Sequence, residues 1–267
     1  MKILTNINDL NKANVNIPNL GFVPTMGGLH EGHESLIKIS KKKCTKTIVS
    51  IFVNPTQFND KKDFKSYPRN KKKDFTTLKK LNVDFVFIPE AHEIYKNKRK
   101  KIIKLKKKYK VLCAKYRKGH FEGVLDVMDR LLNLIKAKYV FMGEKDYQQL
   151  FLIKNFIKNK YKTKIFPCPT IRDKNKLALS SRNFLLSKRN LYTAGLISKY
   201  LIYIKKSINK KNNLIPIIKK KLEKKYSIKI EYLELRNKNN LQTTDFKKKF
   251  KLFIAYYINN VRLIDNY

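Results

Sequence analysis

Pro24-Thr25-Met26-Gly27-Gly28-Leu29-His30-Glu31-Gly32-His33 joins an apolar strand to a helix through a glycine turn, and its reading decides the fold. Gly21-Phe22-Val23 has the continuous apolar character of a buried strand, and Glu34-Ser35-Leu36-Ile37-Lys38-Ile39 begins a helical spacing. Gly27-Gly28 lets the backbone approach a ligand closely. Both histidines therefore fall where the helix starts, beside unpaired backbone N–H groups and the positive end of the helix dipole, a ready site for a nucleotide phosphate. Imidazoles placed there can add hydrogen bonds to developing charge. Metal ligation is the poorer reading. A zinc-protease helix needs His-Glu-x-x-His, whereas position 34 is Glu34, and no Cys or third His lies near enough to complete a zinc pattern.

Working outward, strand and helix patterns alternate over the first two thirds of the chain. Leu20 to Pro24, Thr47 to Val53, Asp84 to Ile88, Tyr139 to Met142 and Lys164 to Phe166 read as strands. Glu34 to Lys42, Phe75 to Leu81, Gly123 to Ile135 and Tyr147 to Lys158 read as helices. That alternation predicts an α/β fold with a doubly wound parallel sheet, whose ligands bind beyond the carboxyl ends of the strands. The turns of chemical interest all lie there: His30 and His33, Asn54 to Phe58, and Gly143 to Asp146 each follow a strand directly. After about residue 175 the pattern changes. Lys188 to Ile208 and Leu214 to Tyr226 are amphipathic, and Ile228 to Leu235 and Phe250 to Ile258 alternate like antiparallel strands, so a smaller α+β domain is expected. Tyr95 to Lys110 is lysine-rich and reads as a solvated loop or edge strand with Ile102, Ile103 and Leu105 turned inward, in preference to a polyanion patch.

At 267 residues the chain can bury a substantial core. Its longest apolar runs are too short to span a bilayer, and its start lacks a signal peptide's apolar segment, so a soluble, cytoplasmic protein without a membrane partner is expected. Cys44, Cys113 and Cys168 are odd in number and far apart, which suggests neither a disulfide framework nor a Cys-x-x-Cys site. The formal net charge of +42 invites a nucleic-acid partner. Of the 62 basic residues, however, only nine are Arg, and the lysines are spread through most segments. Base readers favour the planar fork of Arg, so the excess reads as compositional drift on a solvated surface, with no specific nucleic acid.

The turn segments form an ordered set: Pro24 to His33, Ser50 to Phe58, Tyr67-Pro68-Arg69, Arg117-Lys118-Gly119-His120-Phe121, Gly143 to Leu150, and Leu177 to Asn183. This set resembles the pantothenate synthetase (pantoate–β-alanine ligase) family from about residue 20 to 185. Arg262-Leu263-Ile264-Asp265-Asn266 is similar to that family's ending. The resemblance implies a Rossmann-like domain of the H-x-G-H nucleotidyltransferase type over residues 1–175, binding ATP and pantoate. It further implies an α+β lid domain over 176–267 that closes over the phosphates, and a homodimer. The implied reaction has two steps. Pantoate attacks the α-phosphorus of ATP, with Mg²⁺ present and no organic cofactor, and β-alanine then displaces AMP from the pantoyl adenylate.

The same resemblance lays ATP along Met26, Gly27, Gly28, Leu29, His30, Glu31, Gly32 and His33, then Gly143, Glu144, Lys145 and Asp146, with Ile171, Leu179, Ser180, Ser181 and Arg182. It makes His33 the proton donor and His30 a phosphate ligand, and turns Gln57 and Gln149 to pantoate, with Gln57 also near β-alanine. The residue chemistry suits these roles. Lys145 can neutralise the α-phosphate region, Asp146 can bond ribose or help hold Mg²⁺, and Ser180, Ser181 and Arg182 can hold the departing pyrophosphate. Gln57 and Gln149 are neutral two-way hydrogen-bonders, whereas a phosphate-bearing or amino-acid acceptor would require a charged partner. Asn54, Tyr67 and Arg117 are weaker candidates, readable equally as turn chemistry, a packed aromatic and a surface cation. Three departures stand out: Leu112-Cys113-Ala114 where the family has Leu-Glu-Gly, Lys118 in place of a proline, and Lys176 in place of a glycine. The first loses a carboxylate; the last builds a turn without glycine's easy access to positive φ.

Overall fold

The computed structural model describes residues 1–13, 17–96, 103–207, 214–244 and 249–267. Ile102 and Ile208, named above, lie outside them. Nine strands are assigned among the described residues: β1 (Lys2–Leu4), β2 (Leu20–Thr25), β3 (Lys46–Ile51), β4 (Phe85–Phe87), β5 (Tyr139–Gly143), β6 (Lys164–Cys168), β7 (Lys229–Asn237), β8 (Phe250–Ile258) and β9 (Val261–Asn266). The longer helices are α1 (Glu31–Lys43), α2 (Lys71–Lys80), α3 (His120–Ile135), α4 (Tyr147–Ile157), α5 (Lys188–Ser207) and α6 (Leu214–Tyr226). The chain divides into two compact units. One comprises residues 1–105, 117–144 and 149–169; the other takes 106–116, 145–148 and 170–267.

In the first unit the strands form one sheet, ordered β1-β4-β3-β2-β5-β6 and parallel in every pairing. This is the Rossmann-like arrangement, and its order reverses between β2 and β5, the point at which such sheets open a crevice for ligands. The local cause is visible in the register. β2 pairs with β3 along its whole length, Leu20 to Thr25, but with β5 only at Gly21 and Phe22. Pro24 has no N–H to donate, so the strand carries its missing ladder bond where it has already parted from β5. The core on this side is Val23, Leu29, Ile37, Val49, Leu78, Val86 and Phe141 with their neighbours. Gly21 permits α1 to lie directly on β2: a Cβ there would overlap Ser40 Oγ and fall 2.9 Å from Cys44 Sγ.

The second unit is built on the antiparallel sheet β7-β8-β9, with a register shift between Ile230 and Tyr232. Its core joins Ala194, Ile197 and Leu201 of α5 and Ile218 and Leu222 of α6 to Leu233, Ile254, Tyr256 and Leu263 of the sheet. Arg172 ties the start of this unit to its last strand through a bidentate pair with Asp265, 2.6 and 2.9 Å. Burial would lower the basicity of that guanidinium, but the bonds and charge of Asp265 outweigh it and the net shift is upward. The three cysteines are free and buried. Burial pushes the Cys168 thiol up to about 12, with the Glu144 carboxylate adding to the shift. No helix among the described residues is long and apolar enough to cross a membrane.

Lys176 stands in the left-handed region at φ 70° despite its side chain. The surrounding bonds compel it: Lys176 N–H donates to Asp173 O at 2.9 Å, Leu177 N–H to Asp173 Oδ1 at 2.9 Å, and Ser198 Oγ to Lys176 O at 2.7 Å. A non-glycine residue held there costs about 1 kcal/mol. Lys176→Gly should therefore raise the stability of the chain by about 0.5–1 kcal/mol in urea unfolding. A destabilised variant would show that the lysine side chain contributes more than its backbone costs.

Candidate active site

The stretch Pro24 to His33 leaves the C-terminal end of β2 at the switch point, and Gly27 and Gly28 take φ of 78° and 61°. Thr25 pins the turn: its Oγ1 donates to Ser50 O at 2.7 Å and accepts the Gly27 N–H at 3.2 Å. The next two amides, of Gly28 and Leu29, donate to the carboxylate of Asp74 at 3.0 and 2.8 Å. The amides of the glycine turn are thus directed into the protein. His30 caps α1, its Nδ1 accepting the Gly32 N–H at 3.1 Å. An accepting Nδ1 puts the proton of a neutral ring on Nε2. The His33 ring lies in the first turn, its centroid 4.1 Å from that of His30. The helix begins three residues earlier than its apolar spacing predicts, because an imidazole performs the capping usually left to Ser, Thr, Asp or Asn.

Gln57 sits in the short helix Pro55–Gln57 after β3 and is buried. Its side chain meets the glycine turn: Nε2 lies 3.0 Å from Met26 Sδ, and Oε1 accepts from Asn54 Nδ2 at 3.2 Å. Its backbone is clamped as well. His120 Nδ1 is 2.7 Å from Gln57 O, and Arg117 Nη1 is 3.1 Å from His120 Nε2. Since a guanidinium only donates, His120 Nε2 accepts and Nδ1–H donates to Gln57, which fixes the tautomer. His120 falls within a quoted sequence block, yet no role is assigned to it from sequence; its signal is its place at the start of α3, after the left-handed Gly119.

Of the weaker candidates, Asn54 bonds to the Gln57 side chain and Arg117 to its backbone clamp. Asn54, 1 % exposed, accepts from Tyr95 Oη at 2.6 Å and from Thr56, and donates to Gln57 and to Gly123 O. Tyr67 packs edge-on against Phe58 at 5.7 Å. Arg117 faces His120 and lies 3.8 Å from Asp63. Gly143 ends β5, the strand beside β2, Glu144 follows it, and half-buried Gln149 is in the first turns of α4.

Lys145, Asp146, Ile171 and Leu179 to Arg182 belong to the second unit. Lys145 Nζ lies 3.2 Å from Asp146 Oδ1, and its carbonyl accepts from Asn266 Nδ2 at 2.8 Å. Leu179 N–H donates to Ile171 O at 3.0 Å, which sets the two segments side by side. Ser180 Oγ caps the short helix Ser181–Leu185 by accepting the Arg182 N–H at 3.3 Å. Where the family's glutamate is missing, Cys113 Sγ lies 3.0 Å from Tyr232 Oη and 3.3 Å from Arg262 Nη2. Glu231 pairs with that guanidinium, so its carboxylate partner is supplied from β7. Burial, and then the neighbouring Cys113, holds the Tyr232 phenol well above its ordinary range.

A parallel sheet with a glycine turn and two histidines at its switch point defines a ligand-binding protein of the Rossmann-like α/β class. A family model for Pantoate-beta-alanine ligase matches residues 2–267. Pantothenate synthetase of Leptospira biflexa is 41% identical over 254 residues, covering 92% of this chain and 90% of that one. The Ruthia magnifica protein of the same name is 44% identical over 251 residues, with 92% and 90% covered. Among solved structures, pantothenate synthetase of Thermus thermophilus superposes with a TM-score of 0.91 at 28% identity, covering 100% of this chain and 99% of that one. Pantoate-beta-alanine ligase of Francisella tularensis, solved in complex with beta-gamma ATP and beta-alanine, gives 0.87 at 37%, covering 100% and 97%. The chain belongs to the pantoate–β-alanine ligase family and is an enzyme.

Gly123 makes the clamp on Gln57 possible, because a Cβ there would overlap Thr56 O and fall 2.7 Å from Thr56 C and 3.0 Å from Gln57 N. All three are backbone atoms and cannot swing aside. Gly123→Ala should destabilise the chain by about 1–3 kcal/mol in urea unfolding. It should also lower turnover at a temperature where the variant is still folded. Unchanged stability would mean that Pro55–Gln57 shifts freely on α3.

Proposed function

We propose that the chain condenses pantoate with β-alanine to pantothenate, using ATP and passing through an enzyme-bound pantoyl adenylate. The observation that carries this reading is the contact between Gln57 and Met26, 3.0 Å from amide nitrogen to sulfur. It sets a neutral amide, suited to the hydroxyls and carboxylate of pantoate, against the turn read as the nucleotide site. Support comes also from the Francisella relative, whose structure contains both an ATP species and β-alanine.

In the first step a pantoate carboxylate oxygen bonds to the α-phosphorus, and the bond to pyrophosphate breaks with its electron pair leaving on pyrophosphate. In the second, the amine of β-alanine bonds to the acyl carbon, AMP departs with the electron pair of the C–O bond, and the nitrogen gives up a proton. Gln57 and Gln149 hold pantoate, and Gln57 also faces β-alanine. His30 offers its Nε2–H to a phosphate oxygen, and His33 supplies a proton at the developing charge. Lys145 neutralises the α-phosphate region, while Ser180, Ser181 and Arg182 hold the leaving pyrophosphate. The remaining ATP contacts follow Met26 to His33, Gly143 to Asp146, Ile171 and Leu179.

Mg²⁺ accompanies ATP in this reading and, when bound, screens the phosphate oxygens. Among the described residues no group of three or more His, Cys, Asp and Glu side chains could hold a metal ion. Asp146, with a side chain 46% exposed, is a single carboxylate, the donor set of an ion that keeps phosphate and water as its other ligands. A homodimer in the cytoplasm belongs to the same reading.

His33→Ala and Lys145→Ala should each lower kcat by about a hundredfold or more. Pyrophosphate release with pantoate alone, and AMP release on adding β-alanine, read the two steps separately. A loss of only a fewfold contradicts the roles given to these residues. Pyrophosphate release that does not require pantoate overturns the reading itself.

A further inference from the structure

The turn that carries both histidines rests on a side chain outside every motif quoted from the sequence. Asp74 lies in α2 and is 2 % exposed. Its Oδ2 accepts the Gly28 N–H at 3.0 Å and its Oδ1 the Leu29 N–H at 2.8 Å. Carboxylate and turn also fit each other sterically, since a Cβ on Gly27 would come within 3.0 Å of Oδ2 and 3.2 Å of Ile51 Cγ2. Leu78, one helical turn beyond Asp74, is fully buried in the core that holds Leu29, so α2 is anchored beside the contact. Bonds from two amides to one carboxylate are charge-assisted, and they act on consecutive residues of a turn already held in left-handed backbone geometry.

We infer that Asp74 is a positioning residue for the adenylate-forming step. By taking the Gly28 and Leu29 amides it fixes the direction in which the chain enters α1, and hence where the His30 and His33 rings stand. It also withdraws those two donors from the nucleotide, so that the phosphates are met by imidazole and by cationic side chains. The inference rests on the function proposed above. Its consequence for substitution is specific: an asparagine offers one acceptor oxygen and sets an NH₂ group against the other amide N–H.

The test uses the full chain and two readouts. Hydrogen exchange resolved by amide NMR should show Gly28 and Leu29 exchanging about a hundredfold or more slower than exposed loop amides, with at least one losing that protection in Asp74→Asn. Steady-state kinetics should show KM for ATP raised about tenfold and kcat lowered, with KM for β-alanine within about twofold of the parent. A folded Asp74→Asn with the parent's KM for ATP overturns the inference, as does fast exchange of both amides in the unaltered chain. If Asp74→Asn does not fold, exchange in the unaltered chain decides. Absence of pantoate-dependent pyrophosphate release in the unaltered chain would remove the proposed function and leave the brace to be judged by exchange alone.

Discussion

The hydrogen bonds from Gly28 and Leu29 to Asp74 set the course of the chain out of β2, and the local arrangement of the first unit's site follows from that course. A glycine turn is chosen because it can adopt many backbone conformations, and that freedom is a liability where histidines must be held in one place. The structure removes it by spending three consecutive amides, Gly27 on Thr25 and the next two on Asp74. Leu29 then enters the core, His30 caps α1, and the His33 ring comes to stand over that of His30. A turn without the carboxylate would leave two buried N–H groups unsatisfied, each costing about 1–3 kcal/mol.

Spending those amides limits what the backbone of the turn can offer a ligand. A glycine-rich turn before a helix is commonly read as a cradle of backbone donors. Here the donors nearest the glycines are consumed by Thr25 and Asp74. The net charge of +42 does not substitute for them: charges separated by more than about 10 Å in water are largely screened at moderate salt. A residue such as Lys145 differs from the many surface lysines because its side chain is only 18% exposed and its backbone is fixed by Asn266.

Much of the architecture is legible in the sequence because parallel strands buried on both faces read as unbroken apolar runs. The buried runs within β2, β3 and β5 are of that kind, and α3 shows its spacing from Val124 to Ile135. β1 is not legible, since three residues carry no periodicity. The start of α1 is missed because a histidine cap gives no compositional signal. Asp74 is hidden for a different reason: in Lys71-Lys72-Lys73-Asp74 it reads as a solvated charge, and only the long-range contact to residue 28 gives it meaning. His120 is obscured likewise by the basic residues before it.

The neighbourhood of Gln57 shows how support and recognition are separated. Asn54 spends its oxygen on Tyr95 and Thr56 and its nitrogen on Gln57 and Gly123, so its capacity is used within the fold. Arg117 and His120 act on the Gln57 carbonyl and leave its side chain to be held from elsewhere. Its amide oxygen is held by Asn54 and its amide nitrogen by the thioether of Met26, among the weakest acceptors a protein contains. Under the proposed function, the bond to Met26 is the contact that a carboxylate or hydroxyl oxygen of pantoate would replace. In that proposal the backbone clamp supplies the rigidity, and exchanging the sulfur for a better acceptor favours binding without first leaving a buried N–H unsatisfied.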